Sequence, residues 1–318
     1  GAHRRAMLEI RPYVKGRDEP VQVRICNECF ADEPDYVPLT VDELKIFQEA
    51  PDADNSGKLV AEIDGEPVGF CNARVEKNSS ERKGFIPDFA ILPQHRRKGY
   101  GRELYAKALE SLRARGMESI EIWIWDGARP ARSFLESLGY KLVRTSGIMG
   151  RRLDLPLVGG PVVEGAKIVR SDMSANDLST QNRLDNEAFK EHYNYRPRTM
   201  EETEFLLFKN PGLERPQMFF AMNDGEAVGY TIVIEDAKWL EQKGEVRGWI
   251  LDIGVLKPHR GKGIGAALMA VGLGALKEAG MAEAVLGVDA MNETGALRLY
   301  ERAGFEFKSR YQAYLKAL

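Results

Sequence analysis

The chain has 318 residues, of which 43% are apolar and 29% charged, and a formal net charge of −3; this is the make-up of a globular protein with room for two domains of about 150 residues. So mild an acidity excludes a nucleic-acid binder that relies on a basic surface, and no apolar run reaches the roughly 18 residues of a membrane span. The chain has three cysteines and no apolar signal-peptide centre in GAHRRAMLEIRP, where Gly1-Ala2-His3 reads as a cloning remnant before a start at Met7, so the expected compartment is the cytoplasm.

In chain order, an opening strand at 8–12 leads into helices around NECFADEPDYVPLTVDE, which begins at Asn27. Cys26 and Cys29 form a CxxC there. No second CxxC or CxxH completes a ligand set, and the pair lies in a helical stretch, so packed thiols are expected rather than a metal site. A hairpin turning at Asp64-Gly65 follows, since an Asp-Gly pair readily takes the positive φ such a turn needs. Next come a strand at 84–92, the loop HRRKGYGREL from His95, a helix at 102–115 stopped by Gly116, and a strand at 119–125. A helix ending at Leu138-Gly139 and closing strands complete the order. DLPLVGGPVVEG, residues 154–165, reads as a linker.

The same order then returns. NEAFKEHYNYRPRTMEE from Asn186 lies over the first segment without a gap, NDGEAVGY repeats IDGEPVGF, and HRGKGIGAAL from His259 repeats the glycine loop. The repeat defines a duplicated domain, at 7–153 and 166–318. Each copy alternates strands and helices in the manner of an α/β (α+β three-layer) domain.

Each glycine loop stands between a strand and a helix. Helix starts present unpaired N–H groups and a positive dipole end, and glycines let backbone approach an anion. The candidate anion-binding residues are therefore Arg96, Arg97, Lys98, Gly99, Tyr100, Gly101 and Arg102, and in the second copy Arg260, Gly261, Lys262, Gly263, Ile264, Gly265 and Ala266. Neither loop fits the P-loop pattern. Gly261-Lys262-Gly263 with Ala266 fits a dinucleotide fingerprint, but Arg97 breaks it in the first copy and no N-terminal β-α-β unit surrounds it. A helix start that merely favours glycine is the plain alternative.

R-x-x-G-x-G after ILDIGVLKPH, followed by a helix, a strand and NETGALRLYERAGF, resembles the GCN5-related N-acetyltransferase (GNAT) family, in a tandem two-domain form covering nearly the whole chain. That resemblance implies two domains, each with a mixed, mostly antiparallel sheet flanked by helices. It implies acetyl-CoA as cosubstrate and no metal, with the loop amides on the pyrophosphate and the pantetheine arm in a cleft where two strands splay. It also implies that Asn292 bonds that arm, that the backbone near Val255 serves the oxyanion, and that Tyr300 protonates the departing thiolate. The first copy has Gly127 and Leu135 at these two side-chain positions; Tyr105 is another phenol there. Glu187, His192 and Tyr195 fall in the segment expected to wall the acceptor pocket.

A primary ammonium with a pKa of about 10 must lose a proton before it can attack. Asp252, inside the apolar WILDIGV, is the candidate base, because burial would raise its pKa. Its counterpart Asp88 in FIPDFAI supports a second reading, an aspartate that holds a loop. The expected function is acetyl transfer to the primary amine of a small molecule or peptide by direct attack in a ternary complex. The alternative is a non-catalytic acyl-CoA-binding scaffold. No nucleic-acid or membrane partner is expected, and a monomer or homodimer fits equally.

Overall fold

The structure is a computed structural model and describes residues 7–157, 163–292 and 295–318. Two compact units divide it, one made of 1–144 with 311–318 and the other of 145–310. Unit 1 runs β1 (Leu8–Pro12), α1 (Glu19–Cys29), α2 (Val41–Gln48), β2 (Lys58–Ile63), β3 (Glu66–Asn72), β4 (Arg74–Val75), β5 (Lys83–Phe85), β6 (Phe89–Ile91), α3 (Tyr100–Ala114), β7 (Ser119–Trp125), α4 (Arg129–Ser137) and the start of β8 (Lys141–Arg152). Unit 2 continues with β9 (Ala166–Arg170), α5 (Ala175–Ala188), α6 (Met200–Phe208), β10 (Leu213–Asn223), β11 (Glu226–Asp236), α7 (Ala237–Lys243), β12 (Arg247–Val255), α8 (Ile264–Glu278), β13 (Glu283–Asp289), α9 (Ala296–Arg302) and the start of β14 (Glu306–Ala317).

The repeated residues build the same local devices twice. Thr40 and Thr199 cap α2 and α6 in capping boxes closed by Glu43 and Glu202, each satisfying two helix-end N–H groups. Asn27 accepts from the N–H of Leu39 and donates to its C=O, and Asn186 does the same to Arg198. These side chains clip an irregular segment to the preceding helix. Asp64-Gly65 and Asp224-Gly225 turn with positive φ at both residues, the twist that suits a tight hairpin.

In unit 1, β1-β2-β3-β6 pair antiparallel, while β5 runs parallel to β7. Leu104, Ala108 and Leu112, one face of α3, are fully buried against this sheet structure; each such leucine contributes about 1.5–3 kcal/mol. In unit 2, β9-β10-β11-β12 are antiparallel and β12-β13 parallel, with Leu268, Leu273 and Leu276 of α8 buried on the sheet. The strand expected at 84–92 is broken into β5 and β6. Pro87 lies in the gap, where it removes a ladder donor; its counterpart Leu251 is the extra residue of a bulge in β12. The loop helices begin at Tyr100 and Ile264 instead of 102 and 266, because Gly99 and Gly263 take the left-handed cap position.

The closing strands are exchanged. Ser146–Arg152 of β8 pair with β13, and Tyr311–Ala317 of β14 pair with β7. The units therefore change over inside β8 and inside β14, whereas the sequence places the boundaries at 153 and 166. Of the linker at 154–165, residues 158–162 lie outside the described residues, as does the start at Gly1-Ala2-His3.

Candidate active site

The parallel ladder between β12 and β13 covers only Arg247–Trp249 against Glu283–Val285. Beyond it β12 stays with β11 and β13 stays with β8, so the two strands part. Leu256 N–H bonds the Val228 carbonyl; by the alternation of an antiparallel ladder, the N–H of Val255 faces the opening. A cleft of about 540 Å³ fills this opening, and Val255, Gly261, Gly263, Gly265, Ala266 and Tyr300 are among its walls.

At one end the glycine loop meets α8. Gly261 and Gly263 have φ of +73° and +87°, a region glycine enters without strain. A Cβ on Gly265 would stand 3.3 Å from Leu299, so glycine there keeps the wall open. Ile264 is 2% exposed and packs into the core. Arg260 donates from Nε to the Val255 carbonyl at 2.9 Å and from Nη2 to the Ala188 carbonyl at 2.7 Å. Its guanidinium thus ties the loop to β12 and to the carbonyl end of α5, a favourable place for a cation. Arg96 makes the first of these contacts in unit 1, to Ile91 at 2.8 Å. Arg96 and Arg260, expected to bind an anion, thus also staple the loop to backbone carbonyls in both copies, and Lys262 is exposed beside the cleft. In unit 1 Arg97 takes a positive φ of 65°, Lys98 donates to the Gln94 carbonyl, and Arg102 lies against Ser137 and the Phe134 ring.

At the other end stand the ionisable groups. Tyr300 on α9 is 8% exposed; burial, and next the charge of Asp252, push its phenol up, so it keeps its proton at neutral pH. Asn292 lies in the turn before α9, whose cap is Gly295. Asn292 is thus not the helix cap, and its Nδ2 is 3.4 Å from His192 Nε2. His192 lines the cleft and packs edge-on to Phe189 at 4.6 Å. Glu187 and Tyr195 sit elsewhere. Glu187 is half exposed and pairs with Lys190 at 2.7 Å, and the Tyr195 hydroxyl reaches Asn186 at 3.5 Å; neither is among the cleft walls.

Asp252 is 17% exposed at the side chain. Burial, and next the charge of Asp185, push its carboxyl up to about 8, against the opposing charge of Arg198. Asp185, Arg198 and Tyr230 are the residues that sequence reading missed. The signal was available: aligned through the repeat, they stand opposite Cys26, Leu39 and Phe70, three apolar positions turned polar in one copy. Among the described residues no group of three or more His, Cys, Asp or Glu could hold a metal. Cys26, Cys29 and Cys71 are free thiols, with Cys26 and Cys71 buried. No described helix is long and apolar enough to cross a membrane.

An open strand edge with an amide-rich helix start at one end and a buried acid and carboxyl at the other suits a transferase that handles a phosphate-bearing carrier. The acetyltransferase (GNAT) family matches the chain twice, at residues 24–140 and 181–305, and the chain belongs to that family, the tandem form its sequence resembles. It is an N-acetyltransferase by class. A mycothiol acetyltransferase of Actinosynnema mirum is 28% identical over 290 residues, 89% of this chain and 90% of that protein. A second, from Thermomonospora curvata, is 32% identical, over 42% of this chain and 44% of that one. Among solved structures, a GCN5-related N-acetyltransferase from Sphaerobacter thermophilus has a TM-score of 0.70 at 26% identity, over 98% of this chain and 95% of that chain. A tandem GNAT protein from the clavulanic acid biosynthesis pathway shares the fold, with a TM-score of 0.73 at 18% identity and 98% of each chain covered.

Proposed function

We propose that unit 2 transfers an acetyl group from acetyl-CoA to the primary amine of a small molecule or peptide by direct attack in a ternary complex. One observation carries the reading: a single cleft joins the glycine helix start, the open edge of β12, a protonated phenol and an elevated carboxyl. The amides of residues 261–266 would hold the pyrophosphate, and the edge of β12 with Asn292 would hold the extended arm. Asp252 takes a proton from the ammonium so that the nitrogen lone pair attacks the acetyl carbon. The N–H of Val255 stabilises the oxyanion, and Tyr300 gives its proton to the sulfur as the C–S bond breaks. His192, at the cleft wall, contacts the acceptor; Glu187 and Tyr195, outside that wall, shape the segment that carries it. The chain works as a monomer or homodimer in the cytoplasm.

The test is thiol release from acetyl-CoA against a panel of amines. Release that depends on the amine and is lost in Tyr300→Phe supports the proposal. Saturable binding with no release for any amine would instead make the chain an acyl-CoA-binding scaffold.

A further inference from the structure

We propose that Asp185 and Arg198 are positioning residues for Asp252, fixing together where its proton sits. The inference deepens the transferase reading and rests on Asp252 facing the acceptor amine. Three separate elements bring the set together. Asp185 comes from α5, Tyr230 from β11, and Arg198 from the segment before α6 whose backbone Asn186 clips. Arg198 Nη1 lies 3.5 Å from Asp185 Oδ2 and 3.7 Å from Asp252 Oδ2, so one guanidinium faces both carboxyl groups. The Tyr230 hydroxyl donates to Asp185 Oδ1 at 2.7 Å.

Burial and the charge of Asp185 keep a proton on Asp252 above the usual carboxyl range. The charge of Arg198 favours release of that proton, and the charge of Asp185 opposes it. Of the other groups near Asp252, Tyr230 and Tyr300 are held neutral by burial, and His192, Arg260, Asp289, Arg298 and Arg302 stand along the walls of the same cleft.

Unit 1 supplies a second, independent argument. It keeps the aspartate, as Asp88, at the same place in the strand register, since Gly69 faces Ile91 there as Gly229 faces Val255 here. Yet it has Cys26, Leu39 and Phe70 where Asp185, Arg198 and Tyr230 stand. An aspartate that only holds the loop is thus accommodated without the other three. The polar set accompanies Tyr300 and Asn292, in the copy that carries the acid.

The test follows Asp252 itself through a pH titration of protein labelled with carboxyl-13C aspartate, its resonance assigned by loss in Asp252→Asn. Removing a neighbouring charge moves a carboxyl by about 1–3 pH units. Asp185→Asn is expected to lower the Asp252 midpoint by about one unit or more, and Arg198→Met to raise it, with Arg198→Lys near wild type. Unchanged midpoints, or shifts in one common direction, would overturn the proposal. If Asp185→Asn does not fold, Arg198→Met decides alone, because that side chain is 34% exposed. The measurement needs no turnover: midpoints that move as stated, in a chain that releases thiol with no amine, sink the transferase reading alone.

Discussion

The two units share their scaffolding and differ in their chemistry. Both keep the Asp-Gly hairpin, the asparagine clip, the capping box and the arginine that staples the glycine loop. Each has a parallel strand pair that parts beside α3 or α8. The contents of the opening differ. In unit 1 Phe89 and Phe134 stack at 5.8 Å, where unit 2 has Ile253 and Leu299 lining its cleft. Leu135 and Gly127 occupy the positions of Tyr300 and Asn292. Asp88 is pushed up by burial as Asp252 is, but the charges that oppose this are Lys58 and Arg74. A duplicated fold can thus keep the devices that close the backbone while its copies differ in the polar side chains of the opening, because the two depend on different residues.

The comparison is most exposed at the two aspartates. General acid–base groups contribute about 10²–10⁴-fold, so Asp252→Asn should lower kcat by about 10²-fold or more, and Asp88→Asn by less than about twofold; equal losses would erase the distinction between units. The pH profile sharpens the same point. With a carboxyl raised to about 8, the base becomes competent as pH rises, so kcat should climb through that value, and the climb should disappear in Asp252→Asn. Linkage gives the matching stability effect: a carboxyl raised in the folded state stabilises while protonated and loses that contribution as pH rises from its unfolded pKa of about 4. Thermal unfolding of the wild type should fall relative to Asp252→Asn over that window.

Stoichiometry comes next. Calorimetric titration should find one acetyl-CoA site per chain, because Phe89 and Phe134 stack at the positions where Ile253 and Leu299 line the unit 2 cleft. Gly263→Ala, strained by about 1–2 kcal/mol at its positive φ, should weaken binding about tenfold, while Gly99→Ala should not. Two equal sites, or a loss shared by both variants, would show that unit 1 also binds. The clips give a smaller effect. Asn27→Ala and Asn186→Ala each remove backbone partners worth about 1–3 kcal/mol, so both should lower Tm similarly; only Asn186→Ala, which frees the segment bearing Arg198, should also lower kcat. Smallest and most symmetric, Thr40→Ala and Thr199→Ala should each cost about 1 kcal/mol, with no effect on cofactor binding from either.

The sequence determined the duplication, the hairpin turns and the glycine loops. Each of these rests on neighbours in the chain: a positive φ at Gly263, a side chain three residues from its helix cap, an alternation along one strand. It also singled out Asp252 from its apolar strand, and Tyr300 and Asn292 through the family resemblance. Tertiary structure alone decided the strand exchange, since alternation in β8 says that it pairs and nothing about which edge receives it. It likewise decided that Arg260 ties two elements together, that Glu187 and Tyr195 stand outside the cleft, and that Asp185, Arg198 and Tyr230 meet around Asp252. Those contacts join residues far apart in sequence, and no local pattern encodes them; closure of the sheet against α5 brings the charges within reach of one another.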